Sequence, residues 1–189
     1  MGRPRTIDNE RILAAAEALF AEQGFGETSL RQLIERAEMS PTAFYARFPS
    51  REAVAQALVE RLLAELYQAA AATASASNLE EGIEVGVKGL VRALSAHKVV
   101  VRLALAEGAA IPSVRNTMHE AMSQLAALLS SRLFKLGAKG KMPKVDAEVL
   151  GWSLVGAIMM QIQRWAVYED LGPRQLGDAL SRTARALLF

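Results

Sequence analysis

The sequence predicts an all-α protein: an amino-terminal three-helix head containing a helix-turn-helix, joined by a long helix to a carboxy-terminal helical body. Three observations carry this expectation. Apolar residues recur at helical offsets of three, four and seven along nearly the whole chain of 189 residues. No segment alternates with the two-residue period of a strand. Helix stops and starts (Gly24, Ser29, Ser40-Pro41, Pro49-Ser50, Asn78, and Gly108 with Pro112) cut the chain into separate helices.

The first helix is expected from Asp8 to Gln23, with Ile12, Leu13, Ala16, Leu19 and Phe20 as its apolar stripe and Gly24 as its stop. A short helix follows in which Leu30, Leu33, Ile34 and Ala37 share one face. Ser29 with Gln32 three residues on fits a capping box, each side chain satisfying a backbone N–H at the helix entrance. Glu38-Met39 breaks the pattern, and Ser40-Pro41 restarts it with a hydroxyl cap and a proline at the first helical position, where no N–H partner is needed. Phe44 and Phe48 anchor this second short helix, leaving Pro41, Thr42, Tyr45 and Arg47 on or beside its outward face. Two short helices joined by a tight turn form a device for reading a major groove.

Pro49 and Ser50 open a long helix from Arg51 to about Ala72, with Ala53, Val54, Ala57, Leu58, Leu62 and Leu66 inward. The segment Ala69–Ser77 is of low complexity, and Asn78 caps the next helix, to about Ala96. Further helices are expected from Lys98 to about Gly108 and from Ser113 to Leu136, then a loop from Gly137 to Pro143. The last two run from Val145 to Tyr168 and from Pro173 to Leu188. The first of these is apolar on two sides (Val149, Trp152, Gly156, Met159, Ile162, and Leu150, Leu154, Ile158, Trp165), and a chain this small covers only one. The other is expected to meet a second copy, with Leu176, Ala179, Leu180, Thr183, Ala184 and Leu187 of the final helix joining the contact, unless helices of the same chain cover it. Gly151, Gly156, Gly177 and Ala184 would allow close approach. The result is a two-fold homodimer built on a four-helix interface.

Composition bounds the function. At 51% hydrophobic and 22% charged residues the chain holds enough apolar material for one generous domain or two small ones. It has no cysteine, which excludes a disulfide framework and permits a reducing, cytoplasmic setting. His97 and His119 have no partner at ligand spacing, so no metal and no cofactor is expected. The start, Met1-Gly2-Arg3-Pro4-Arg5, lacks the apolar core of a signal peptide. The longest apolar stretch, Val149–Met160, is shorter than the roughly 20 residues that cross a bilayer. Bulk charge is uninformative: residues 1–50 carry six arginines against seven carboxylates, a net of −1. Placement matters more, and Arg3 and Arg5 fall in a proline-containing arm expected to be unstructured, while Arg47 and Arg51 flank the junction of two helices.

The head resembles the TetR family of bacterial transcription regulators. The residues carrying the resemblance are Ile12-Leu13-x-x-Ala16-x-x-Leu19-Phe20-x-x-x-Gly24-Phe25, Thr28 to Ala37, and Ser40-x-x-x-Phe44-Tyr45-x-x-Phe48-Pro49-Ser50-Arg51-Glu52-Ala53. It implies a DNA-binding domain over residues 1–52 and a helical effector-binding and dimerisation domain over residues 53–189. It also implies a homodimeric repressor, released from a palindromic double-stranded DNA operator by a small, largely apolar effector. Thr42 and Ala43 would approach base edges, Tyr45 and Arg47 would contact backbone or bases, and Thr28, Arg51 and the helix start at Ser50 would hold phosphates. Arg3, Arg5, Ser29 and Pro41 complete the expected DNA-facing set. Chemically, Thr42 offers a methyl for thymine, Tyr45 a hydroxyl and flat ring, and Arg47 a bidentate donor. Two positions depart from the family pattern: Glu38 stands where glycine is common, and Pro41 where a basic residue is frequent.

In the body, Met118, Met122, Trp152, Met159 and Trp165 either line an adaptable apolar cavity or fill the core, with His119 and Gln161 as polar contacts for an effector. Two competing classes are an architectural or scaffold DNA-binding protein without an effector, and an all-helical enzyme. The sequence holds no Ser/His/Asp ordering, glycine-rich phosphate loop or zinc spacing, so no catalytic residue is assigned.

Overall fold

The computed structural model describes residues 5–138 and 146–188. Among them the secondary structure is helical throughout: α1 (Arg5–Glu27), α2 (Leu30–Arg36), α3 (Pro41–Tyr45), α4 (Arg51–Ala72), α5 (Leu79–Ala96), α6 (Lys98–Arg102), α7 (Pro112–Ala138), α8 (Ala147–Ala166) and α9 (Pro173–Leu188). None of the described helices is long and apolar enough to cross a membrane.

Local signals set most boundaries. Gly24 stops regular helix in α1 as expected: its φ of 82° and ψ of 165° are open to glycine and strained for any other residue. The helical assignment resumes beyond it to Glu27. Arg5 is the first residue of α1 rather than part of an unstructured arm, and Arg3 lies outside the described residues. The helix expected from Lys98 to about Gly108 is regular α-helix only to Arg102, and the chain then passes through a π-helical turn, Leu103–Glu107, and a 3-10 turn, Gly108–Ala110. The expected loop from Gly137 begins later, since Gly137 and Ala138 belong to α7; its remaining residues lie outside the described ones.

The chain packs as two compact units, Met1–Leu62 with His97–Thr117, and Leu63–Ala96 with Met118–Phe189. The first unit therefore includes more than residues 1–52. Its core is built from Ile12 and Ala16 of α1, Leu33 of α2, Phe44 of α3, Val54, Leu58 and Val59 of α4, and Val100 and Val114. The second unit packs α9 on α5 and α8. Leu94, Leu154, Trp165, Leu176 and Leu180 are its buried members. At Gly151 helix α8 passes so close to α7 that a Cβ would lie 2.7 Å from the Ala126 carbonyl oxygen.

The second unit corrects the expected dimer surface. Leu176, Ala179 and Leu180 are 0%, 8% and 1% exposed, so the apolar face of α9 is consumed within its own chain. Thr183 is half-buried, and nothing is described of the Leu187 side chain. On α8, however, Val149, Trp152, Gly156 and Met160 stay exposed along one face, while Gly151, Leu154, Val155, Ile162 and Trp165 turn inward. Met159, half-buried, lies between the two. Gly156 has nothing near its would-be Cβ, whereas Gly177 sits in ordinary contact with Val91.

Candidate nucleic-acid interface

The helix pair α2–α3 is specified by short-range hydrogen bonds. Ser29 Oγ accepts the Gln32 amide at 3.2 Å while Gln32 Oε1 accepts the Ser29 amide at 2.8 Å, closing the expected capping box. At α3, Ser40 Oγ accepts the Ala43 amide and Pro41 occupies the first turn. Ser50 does the same for Ala53 at the start of α4. Phe44 is fully buried and Phe48 nearly so, with ring centroids 6.5 Å apart. Their packing turns the opposite side of α3 to solvent: Pro41, Thr42, Ala43, Tyr45 and Ala46 are exposed. The Tyr45 ring stands edge-on against Phe44, centroids 6.1 Å apart at 84°, which braces it from the core.

The turn between the two helices places Glu38 at φ 50°, a left-handed conformation that glycine adopts without cost. Arg11 of α1 offsets it, donating from Nη2 to the Glu38 carboxylate at 3.0 Å and to its carbonyl oxygen at 3.5 Å. Twenty-seven residues separate the partners, and no local pattern announces Arg11.

Three expected DNA contacts are committed inside the head. Thr28 is fully buried, its hydroxyl donating to the Gly24 carbonyl at 2.7 Å and accepting from Gln23 Nε2, which engages it at the junction of α1 and α2. Arg51 lies over the Phe25 ring at 4.1 Å and donates from Nη1 to the carbonyls of Phe25, Gly26 and Thr28. Glu107, which sequence reasoning missed, accepts the Phe25 and Gly26 amides of the same segment at 3.4 and 3.1 Å. The link from α1 to α2 is thus gripped through its carbonyls by one charged side chain and through its amides by another. Arg47 turns away from the outward face of α3 toward Asp8 of α1, with Nη2 to Oδ2 at 3.1 Å; the side chains are 17% and 16% exposed. Its Nε is buried without a hydrogen-bond partner.

The remaining arginines of residues 8–62 are paired as well. Arg31 bonds Glu35, Arg36 bonds Glu22, and Arg61 bridges Glu10 and Glu17. The Arg36 guanidinium holds the Glu22 carboxyl below its ordinary range, chiefly through their hydrogen bond. The exposed pairs Arg31–Glu35 and Arg36–Glu22 contribute little to stability, but they neutralise the cations.

The expected effector residues all fall in the second unit, where they do not converge on one described cavity. Met118, Met122 and Met159 are half-buried, Trp165 is buried, and His119 is exposed. Gln161 Oε1 accepts from Arg164. Trp152 lines an open concavity of about 620 Å³ with Asp146, Glu148, Val149 and Ser153. Among the described residues no group of three or more His, Cys, Asp or Glu is placed to hold a metal.

Residues 12–58 match the family of bacterial regulatory proteins, tetR family. The HTH-type transcriptional repressor ComR of Escherichia coli (strain K12) is 32% identical over 62 residues, 33% of this chain and 30% of that protein. This match therefore spans less than a third of the relative's length. Two solved structures share the fold over nearly the full chain. A TetR-family transcriptional regulator from Syntrophomonas wolfei has a TM-score of 0.85 at 15% identity, covering 98% of this chain and 96% of the other. Salmonella enterica GusR has a TM-score of 0.73 at 25% identity, with 98% and 97% covered. Residues 12–58 thus carry the pattern of the tetR family of bacterial regulatory proteins, and the fold of TetR-family structures extends over almost the whole chain.

Proposed function

We propose that this protein is a TetR-family regulator, a homodimeric repressor that binds a palindromic operator through α3 and leaves it when a small, largely apolar effector binds the body. The observation carrying the reading is the exposed face of α3, with Thr42, Ala43 and Tyr45 held outward by two caps and two buried phenylalanines. Residues 1–52 supply the DNA-binding domain and residues 53–189 the effector and dimer domain, in the cytoplasm where the operator resides. The uncovered stripe of α8 supports dimerisation, because large apolar side chains in a row on a surface mark an interaction site. Two heads related by a two-fold axis would meet successive major grooves about 34 Å apart. The effector acts by its differential affinity for the DNA-bound and free states. A nonspecific architectural role fits less well, since it depends on phosphate-neutralising cations, and the described arginines of the head are occupied. Selection of bound duplexes, followed by gel-shift titration of selected and random DNA at several salt concentrations, tests the proposal. Selected duplexes should bind about a thousandfold more tightly or better; equal affinity for both overturns it.

A further inference from the structure

The side chains that α3 offers, set against those the head withholds, narrow what the operator can contain. In the major groove, guanine is read by arginine or lysine, adenine by asparagine or glutamine, and cytosine by an acidic side chain. The exposed face of α3 holds none of these: it consists of Pro41, Thr42, Ala43, Tyr45 and Ala46. The nearest arginine in sequence, Arg47, is paired with Asp8 and largely buried, and Arg51 is spent on three backbone carbonyls. Residues 1–62 contain no lysine. What the face does present is methyl groups on Thr42, Ala43 and Ala46, and a braced aromatic ring on Tyr45. The one base-pair feature that such groups recognise is the C5-methyl of thymine.

Resting on the operator binding proposed above, we infer that α3 selects its half-site by apolar contact with thymine C5-methyl groups, with Thr42 and Tyr45 as the specificity-determining residues. Guanine directly beneath α3 finds no bidentate donor, only the single hydroxyls of Thr42 and Tyr45, and discrimination depends on methyl burial rather than on bidentate hydrogen bonds. Because α3 has only five residues, few consecutive base pairs lie within its reach.

The test uses the full-length protein and the duplex recovered by selection. Each thymine facing α3 is replaced by deoxyuridine, which removes only the methyl, and separately by cytosine and 5-methylcytosine in a C·G pair. Deoxyuridine should weaken binding about fourfold per buried methyl, and 5-methylcytosine should bind more tightly than cytosine at the same position. Thr42→Ser, which keeps the hydroxyl and loses the methyl, should weaken the parent duplex to a similar extent. It should also abolish the deoxyuridine effect at one position while leaving the thermal melt unchanged. A selected site that tolerates deoxyuridine throughout, or that requires guanine beneath α3, overturns this inference and leaves the regulator reading standing. A library from which no sequence is enriched overturns that reading itself, and this inference with it.

Discussion

Among the described residues, two of the exposed apolar surfaces, on α3 and on α8, differ in scale and origin. The face of α3 is small: a five-residue helix carrying methyls and one tyrosine ring that is 54% exposed. The face of α8 is long, with Val149 at 59%, Trp152 at 42% and Met160 at 51% exposure spaced over three turns. The first is held in shape by caps, ion pairs and a core phenylalanine, as a surface must be that meets a partner one group at a time. The second sits on a regular helix whose opposite side is buried, which suits a broad contact with another protein surface. An exposed apolar group therefore means little until the element presenting it is considered.

The comparison can be broken most severely at the anchor of the smaller face. Phe44→Ala should destabilise the first unit by about 3–5 kcal/mol and abolish operator binding; a loss below about 1 kcal/mol in denaturant titration would contradict the packing described. On the larger face, Trp152→Glu with Met160→Glu should weaken self-association about a hundredfold or more by burying like charges, with helical content retained. Sedimentation that still finds a dimer at micromolar concentration would remove α8 from the interface. Next in size, Arg51→Ala should cost about 2 kcal/mol by releasing charge-assisted hydrogen bonds to the α1–α2 link. If Arg51 instead held a phosphate, stability would be unchanged and the salt dependence of DNA binding would fall. Smallest, Glu38→Gly should raise stability by up to about 1 kcal/mol, because relief of the left-handed strain outweighs loss of an exposed ion pair with Arg11; a drop in melting temperature would mean that the pair dominates.

Much of the head was legible because its signals are local. Ser29 with Gln32, and Ser40 with Pro41, act within three residues, and their hydrogen bonds stand where the spacing placed them. Gly24 ends the regular part of α1 for a reason of its own backbone. The DNA-facing set was harder. Arg47, Arg51 and Thr28 have the right chemistry for a groove, but their directions depend on Asp8, on the link carbonyls and on Gly24, contacts that residue type and spacing do not reveal.

By itself the sequence determined the helical class, the two short capped helices, the family pattern and the double apolar character of α8, because each depends on periodicity or on neighbours within a turn. Tertiary structure alone decided which stripe was covered. It buried the apolar face of α9 against α5 and α8, left one face of α8 open, and drew Arg47 and Arg51 inward to partners distant in sequence. The physical reason is common to all of these: an apolar stripe or a cation specifies that a partner is needed, while packing over long sequence separations decides whether the same chain supplies it.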